Sequence, residues 1–401
     1  MSDEGRRRTT PALRRAASLR CPLLSGEAAH RALAAASRIL AAGVARFEET
    51  QPNAPDSLDA YGGAVLIADA LAHAGHDPRP SVEALLQRAL VIRAGDLSLY
   101  GGAAGLLAVL DAVDPQRENF QRPRARLCEV LAASIRADAP LDTGDVETYD
   151  LVFGLAGRAI VLGDREPSVL PALRAWCERF IDAVEHRLAS DDPGVAAAVN
   201  LGVAHGVPGV LAALNAALPG DCALAQRYVD ALLAASHDCA GARRWNAVWR
   251  RGHVPAAVCS WCYYTVGVAA VLYDCAVLGG DDALRALAVD ALARVLEDHG
   301  DDWSAVGPSL CHGRAGVATV AWHLAGEDER FARVAERFAL SVLAEYDQSL
   351  PLGYRSKDRD DGRSEHRTDF LDGSFGIALF LVDAATAHAR RWLPLLGLLP
   401  D

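Results

Sequence analysis

The chain has 401 residues, of which 51% are hydrophobic and only 6% aromatic, and its net charge is −12. This acidic balance argues against a nucleic-acid-binding surface, and the absence of any run of about 18 apolar residues argues against an integral membrane segment. Ala and Leu dominate, and no segment shows sustained alternation of β-branched residues. We therefore expect an all-α protein.

The first predicted segment is a basic tail over residues 1–24. Its first twenty residues hold six arginines against Asp3 and Glu4, and they contain no apolar core of the kind that a signal peptide needs. We expect this tail to be disordered, as untethered chain ends usually are, and residues 25–401 to form a single domain. Nine cysteines without an export signal favour reduced thiols in a cytoplasmic protein.

A glycine pair, Gly-x-x-Gly, recurs along the rest of the chain and is followed each time by a short apolar segment. The second glycines are about 50 to 60 residues apart, which leaves room for two helices and their loops. The copies are "GAAGLLAVL", "GLAGRAIVL", "GVPGVLAAL", "GRAGVATVA" and "GSFGIALFL", which begin at residues 102, 154, 206, 313 and 373. A sixth copy, "YTVGVAAVL", has Tyr264 in place of the first glycine.

Longer amphipathic segments lie between the glycine pairs. Their apolar residues recur at i, i+3, i+4 and i+7, which is typical of a surface helix, whereas the segments after the glycines are apolar all round, as in buried helices. Alternating outer and inner helices predict a closed α/α toroid. Glycines at the starts of the inner helices would let neighbouring backbones approach closely.

Several chemically active side chains share a register, which we count back from the second glycine of each pair. Cysteines stand five residues before this glycine in two repeats, and polar side chains stand four residues before it in four repeats. These residues are Cys262 and Cys311 at the first position and His205, Tyr263, His312 and Asp372 at the second. Because the loops of a toroid open at the same end, we expect these side chains to converge, together with Asp150, seven residues before its glycine.

Cys262, Cys311 and His312 form a Cys₂His set that suits tetrahedral Zn²⁺. Three protein ligands leave the fourth position open, which is the arrangement of catalytic zinc sites. The alternative for each cysteine is a small buried hydrophobic residue. The shared register favours the metal interpretation for Cys262 and Cys311.

The other cysteines carry weaker signals. Cys259 belongs to a C-x-x-C, "CSWC", and stays open as a fourth ligand or as a redox partner of Cys262, although no βαβ pattern surrounds it. Four further cysteines lie in helix-like apolar patterns and receive no role: Cys128, Cys177, Cys222 and Cys275.

Three polar residues are candidates for acid/base work. His205 is either a catalytic acid/base or a structural histidine at a helix start. Asp150 either caps a helix or orients a catalytic histidine. Tyr263 is a candidate hydrogen-bond donor to developing charge, with core packing as the alternative.

The motifs "AHGVPG", "WCYYTVG" and "LCHGRAG", at residues 204–209, 261–267 and 310–316, resemble those of the lanthionine synthetase C-like family, the LanC-type cyclases. Three further motifs match the family's other repeats: "SLYGGAAG", "DLVFGLAG" and "FLDGSFG". The resemblance covers about residues 95–380. It implies a toroid of about seven pairs of inner and outer helices, with the seventh inner helix near residues 61–75.

The resemblance also implies a function. Cys262, Cys311 and His312 would be the zinc ligands, His205 and Asp150 would stand at acid/base positions, and Tyr263 would lie beside the metal. The family joins a peptide's cysteine thiol to a dehydrated Ser or Thr, giving a lanthionine or methyllanthionine ring. The expected partners are a dehydrated precursor peptide, a separate dehydratase, since the chain has no such domain, and an exporter complex.

The sequence departs from the family's pattern near the first zinc cysteine. Val258 stands where an arginine is common, and Tyr264 and Val266 stand where Gly and Pro are frequent. These departures leave a changed substrate or weakened activity open.

Other function classes fit less well. A terpene cyclase on the same toroid would need a D-D-x-x-D motif, which the sequence lacks. A protein prenyltransferase β-subunit would need a partner chain and a basic diphosphate pocket. A non-catalytic zinc scaffold and a glutathione-adding LanC-like enzyme remain alternatives.

Overall fold

The structure is a computed structural model that describes residues 21–50, 61–90, 95–137, 141–163, 165–190, 198–239, 241–250, 259–299, 307–357, 364–386 and 388–400. Within these ranges it has fourteen α-helices and three two-stranded antiparallel ribbons. The ribbons are β1 (Val199–Asn200) with β4 (Val248–Trp249), β2 (His237–Cys239) with β3 (Ala242–Arg244), and β5 (Ser356–Lys357) with β6 (Ser364–Glu365). None of the described helices is long and apolar enough to cross a membrane.

Seven helices form the outer layer of the fold. They are α1 (Gly26–Thr50), α3 (Val82–Ala89), α5 (Gln121–Arg136), α7 (Leu170–Ala189), α9 (Cys222–Ala234), α11 (Asp282–His299) and α13 (Glu329–Ala344). In α13 the buried residues recur every three or four positions, so one face packs inward while the charged face stays in water. These residues are Phe331, Ala335, Phe338, Ala339, Val342 and Leu343.

The other seven helices form the inner layer. They are α2 (Gly63–His73), α4 (Ala103–Val113), α6 (Leu155–Leu162), α8 (Val207–Ala217), α10 (Tyr264–Gly279), α12 (Arg314–His323) and α14 (Ser374–Ala385). Every residue of α12 is buried, as is every residue of α14 except the last. This burial on all sides explains why the inner segments lack a polar face.

The inner helices form a closed ring. Each packs against the next along the chain, and α14 packs against α2, which closes the ring. Outer helix α1 packs against both α14 and α2 and so covers this seam. The predicted α/α toroid is confirmed, and α2 supplies the seventh inner helix where we expected it.

The N-terminal tail predicted over residues 1–24 falls largely outside the described ranges, which begin at residue 21. Leu24, at the end of this predicted tail, is only 2% exposed. Its N–H donates a hydrogen bond to the carbonyl oxygen of Ala384, at 2.7 Å. Leu24 therefore belongs to the folded core.

The second glycine of each pair allows the preceding loop to fold back onto the start of its inner helix. A Cβ added at this glycine would lie 2.3 Å or less from the carbonyl oxygen six residues earlier, in five repeats. These glycines are Gly157, Gly209, Gly267, Gly316 and Gly376. Any other residue would collide with this backbone, so the recurring glycine fixes the loop conformation.

Backbone hydrogen bonds join the loops that precede successive inner helices. The N–H of Leu151 donates to the carbonyl of Ala204, and that of Ala204 donates to the carbonyl of Cys262, at 3.1 and 3.3 Å. Cys262 in turn donates to Cys311, at 3.4 Å, and Cys311 donates to Leu371, at 2.9 Å. This chain of bonds brings the loops that carry the shared register to one end of the toroid.

A C-terminal segment, residues 388–400, packs against the inner ring. Its turn at Leu393–Leu396 contacts α4 and α6, and Leu395 and Leu396 are almost fully buried. Two side chains from the loop end of the ring donate to this turn: the Tyr100 hydroxyl to the carbonyl of Leu395, and the indole N–H of Trp261 to that of Leu396, at 2.9 Å. The segment thereby supports the loop that carries Cys262.

Candidate metal centre

Three residues with metal-ligating atoms meet at the loop end of the toroid. Cys262 lies two residues before α10, and His312 follows Cys311 two residues before α12. One ligand-type atom of each of the three lies within 4.8 Å of the others. Both cysteines are buried, and the Sγ of Cys311 is 3.7 Å from Nε2 of His312.

A carboxylate holds the imidazole of His312 in place. Nδ1 of His312 lies 3.0 Å from Oδ1 of Asp372, so Nδ1–H donates to the carboxylate and Nε2 is the nitrogen that faces the cysteines and would bind a metal. The hydroxyl of Ser309 donates to the same carboxylate oxygen, at 3.4 Å. The sequence analysis placed Asp372 four residues before its repeat glycine but gave it no role. Its position, equivalent to that of His312, was the signal that could have identified it.

The electrostatics of the cluster favour a thiolate. Burial opposes ionisation of Cys262, but hydrogen bonds with Cys311 and His312 outweigh it and lower the pKa of Cys262 to about 5. Burial likewise opposes protonation of His312, but hydrogen bonds with Asp372 and Cys262 raise its pKa to about 9. In the absence of metal, the site therefore holds a thiolate beside an imidazolium. A divalent cation would take the place of that proton.

Cys259 does not join the three-residue cluster, although the sequence left it open as a fourth ligand. It is 2% exposed and is a free thiol, as is Cys262. Burial raises the pKa of Cys259 to about 12, so its sulfur is protonated at neutral pH. Within the part of the chain that the structure describes, no fourth ligand-type residue joins the cluster.

Asp150 and His205 form a second polar pair at the same end of the toroid. Oδ1 of Asp150 accepts the N–H groups of Phe153 and Gly154, at 2.6 and 2.7 Å. Oδ2 lies 2.5 Å from Nδ1 of His205. The two roles that the sequence offered for Asp150 are therefore compatible. One oxygen accepts backbone N–H groups at the start of the helix, and the other faces the imidazole of His205.

Tyr263 lies between this pair and the metal cluster. Its ring centroid is 6.0 Å from that of His205, and its hydroxyl is hydrogen-bonded to the side chain of Asn200. Burial raises the pKa of Tyr263, so the phenol stays protonated at neutral pH and can donate a hydrogen bond. The sequence carried no signal for Asn200 because this residue, at the end of β1, has no register partner in the other repeats.

Tyr264 has a left-handed backbone, with φ of +70°. Glycine occupies the equivalent position in five other repeats, where φ is negative. At all five of these glycines, an added Cβ would lie 2.5 Å or less from the backbone of the preceding loop. Tyr264 avoids this collision through its positive φ. Of the other departures from the family pattern, Val266 is fully buried, and Val258 lies outside the described residues.

Two further residues near His205 were missed from the sequence. Phe153 is 46% exposed, and its ring lies nearly parallel to that of His205 with centroids 6.4 Å apart. Arg158 interacts electrostatically with Asp150, and among the described residues its buried Nε has no hydrogen-bond partner. Phe153 stands four residues before Gly157, the register position of His205, but its apolar side chain was not singled out there. Arg158 has no arginine counterpart in the other repeats.

The family model described as lanthionine synthetase C-like protein matches residues 52–396. The chain belongs to the lanthionine synthetase C-like family. Among solved structures, nisin cyclase is similar to this LanC-like protein, with a TM-score of 0.64 at 16% sequence identity, over 88% of this chain and 96% of that chain. At this identity the likeness demonstrates the fold alone. No curated protein matches the sequence.

Proposed function

We propose that this LanC-like protein is a zinc-dependent cyclase that adds a cysteine thiol of a dehydrated peptide to dehydroalanine or dehydrobutyrine. The products would be lanthionine and methyllanthionine rings. The observation that carries the proposal is the presence of a Cys₂His cluster and an Asp–His pair at the same end of the toroid. Membership of the LanC-like family supports it, as does the structural likeness to a protein named a cyclase.

The donor set of Cys262, Cys311 and His312 fits zinc. Two thiols and an imidazole are the ligands that Zn²⁺ prefers, and a carboxylate behind the histidine is the usual support for such a ligand. Zn²⁺ bound there would supply a Lewis acid that lowers the pKa of a coordinated substrate thiol. With three protein ligands, the chain leaves room for that thiol.

The reaction requires a proton at a defined carbon. The substrate thiol gives its proton to solvent, and its sulfur then bonds to Cβ while the electron pair of the Cα=Cβ double bond moves into an enolate. This enolate must be protonated at Cα. We assign this protonation to Nε2 of His205, since its Nδ1 faces Asp150. Asp150 fixes the orientation of the ring and stabilises the imidazolium, which solvent regenerates after each turnover.

Neighbouring side chains provide the surroundings for a peptide. The exposed ring of Phe153 offers apolar surface beside His205. The protonated phenol of Tyr263 is a hydrogen-bond donor between the two polar groups of the site. Both residues are expected to affect peptide binding more than zinc binding.

The test is to measure zinc content and cyclisation in the same preparations. The substrate is a synthetic peptide with one cysteine and one dehydroalanine; because cyclisation leaves its mass unchanged, the remaining free thiol is counted by alkylation and mass spectrometry. We expect about one zinc per chain at the Cys₂His cluster, and ring formation, in the wild type and in Cys259→Ala. Cys311→Ala should lose both this zinc and activity, and His205→Ala should keep this zinc and lose activity.

Other outcomes would redirect the proposal. Zinc without cyclisation of any dehydrated peptide would favour a non-catalytic scaffold, and addition of glutathione to dehydrated residues would favour the glutathione-adding alternative. A wild type that binds no zinc after metal-replete purification would contradict the mechanism. The cytoplasmic location, the separate dehydratase and the exporter complex stay predictions from the sequence.

A further inference from the structure

A second group of metal-ligating side chains lies at the opposite end of the inner ring. Asp69 and His73 stand one helical turn apart on α2, and His73 is the last residue of that helix. His388 comes from the C-terminal segment, shortly after α14 ends. One ligand-type atom of each of these three residues lies within 4.8 Å of the others.

The two imidazoles face each other, with ring centroids 4.4 Å apart and an interplanar angle of 32°. Nδ1 of His73 lies 2.9 Å from the carbonyl oxygen of Asp69 and 3.5 Å from Oδ2 of the same residue. Because the carbonyl oxygen can only accept, Nδ1 carries the proton, and Nε2 is the nitrogen that would bind a metal. Among the described residues, none hydrogen-bonds the ring nitrogens of His388. The cluster therefore offers two imidazoles and a carboxylate as donors.

We propose that Asp69, His73 and His388 form a second metal site, which binds Zn²⁺ or another divalent first-row transition metal. Two imidazoles with one carboxylate suit these cations, whereas Mg²⁺ and Ca²⁺ prefer oxygen ligands alone. The side chain of His73 is 46% exposed and that of Asp69 15% exposed, so water can reach the cluster and complete the coordination.

The position of the cluster gives the site a structural role. The inner ring closes where α14 packs against α2, and the cluster joins the end of α2 to the chain just beyond α14. A bound cation would hold this seam together. It would also anchor the C-terminal segment, whose turn accepts the indole N–H of Trp261 next to Cys262.

Arg391 is the group that opposes a cation here. It lies close enough to act electrostatically on both Asp69 and His388. Its charge would repel a divalent ion, so the affinity of the site should be limited by this residue. Arg391→Gln should bind the metal more tightly than the wild type does.

The experiment is a Co²⁺ titration of the metal-free, full-length protein without an affinity tag, followed by equilibrium dialysis and absorption spectroscopy. Thiolate ligands give an intense near-ultraviolet charge-transfer band, and imidazole and carboxylate ligands do not. We expect two Co²⁺ ions per chain, of which only one produces this band. His388→Ala and His73→Ala should each weaken the ion without the band by roughly tenfold or more, and Cys311→Ala should remove the other.

His76→Ala is the matched control, since His76 is exposed and lies three residues from His73 but outside the cluster. It should keep both ions. The proposal would be overturned if the wild type bound a single Co²⁺. It would also be overturned if neither His388→Ala nor His73→Ala weakened the binding of the second ion. Because only the cysteine site gives the thiolate band, failure of the second site is distinguishable from failure of the proposed zinc enzyme.

Discussion

Nδ1 of His205 lies 2.5 Å from Oδ2 of Asp150, a carboxylate with no exposed surface. The other oxygen of this carboxylate accepts two backbone N–H groups, so the side chain cannot rotate without losing them. The loop geometry thereby fixes the tautomer of His205: Nδ1 carries a proton toward Asp150, and Nε2 is left for the substrate.

Asp150→Asn tests this tautomer. The amide oxygen should keep the two backbone N–H groups, which turns the amide N–H toward Nδ1 of His205 and forces its proton onto Nε2. We expect the variant to fold and bind zinc, with cyclisation slowed by about 10²- to 10⁴-fold. The measurement is the rate of thiol loss from the dehydrated peptide, with zinc content in parallel.

Asp150→Ala separates the two contacts of this carboxylate, which orients His205 and accepts backbone N–H groups at the start of α6. It leaves the N–H groups of Phe153 and Gly154 without an acceptor, so it should also lose stability, by about 1–3 kcal/mol. A wild-type cyclisation rate in Asp150→Asn would contradict the role assigned to the pair.

Asp372→Asn tests the support of His312. An amide would accept the Nδ1–H bond more weakly than the carboxylate does, so His312 would be a poorer ligand. We expect zinc affinity to fall by about 10- to 100-fold, measured by competition with a chromophoric chelator. Ser309→Ala removes only the 3.4 Å bond to the same oxygen and should cost less. Equal zinc affinity in the wild type and Asp372→Asn would contradict this assignment.

The sequence could predict the toroid and the convergence of the site because both rest on the same recurring glycine. A glycine in the first turn of five inner helices is needed where the loop backbone folds onto the helix start, so residues at a fixed count from it occupy equivalent places in the ring. This argument places Cys262, Cys311 and His312 in one cluster without knowledge of any distance. It also placed Asp372, whose role became evident only from its contact with His312.

Residues outside this periodicity were not predictable. His388 belongs to no repeat, and its approach to α2 depends on the path of the C-terminal segment. That segment reads "RRWLPLLGLLP", an apolar run without helical or strand period, and only its contacts with the inner helices give it a position. Arg158 follows a repeat glycine, but no other repeat has an arginine there.

The metal-free protein should show a thiolate at unusually low pH. Because the pKa of Cys262 is lowered from its ordinary value of 9.0 to about 5, its thiolate should predominate above that pH and become protonated below it. The far-ultraviolet absorbance of the thiolate, followed during acidification, should fall through a step near this value.

Two variants identify the sulfur responsible. Cys262→Ser should abolish the absorbance step. Cys259→Ser should leave it in place, since burial raises the pKa of Cys259 to about 12. If the absorbance step occurred near the ordinary thiol pKa of 9.0 instead, it would contradict the proposed pairing of Cys262 with His312.

The backbone at Tyr264 can be tested by comparing glycine with alanine there. A left-handed conformation costs an L-residue roughly 1–2 kcal/mol, and glycine avoids this cost. Both variants lose the tyrosine ring, so their difference reports the backbone. We expect Tyr264→Gly to be about 1 kcal/mol more stable than Tyr264→Ala in urea unfolding. Alanine equal to or better than glycine would be incompatible with the positive φ.

The support that the C-terminal segment gives to the zinc loop predicts a linked loss of stability and metal affinity. Trp261→Phe leaves the buried carbonyl of Leu396 without its 2.9 Å indole donor, which should cost about 1–3 kcal/mol of unfolding free energy. Because Trp261 directly precedes Cys262, zinc affinity should fall as well. Trp392→Phe is the control: it removes the buried hydrogen bond from the indole of Trp392, in the same segment, to the carboxylate of Asp383 on α14. This control should lower stability while leaving zinc affinity unchanged. A loss of zinc affinity in both variants would mean that global destabilisation, rather than the Trp261 contact, governs the metal site.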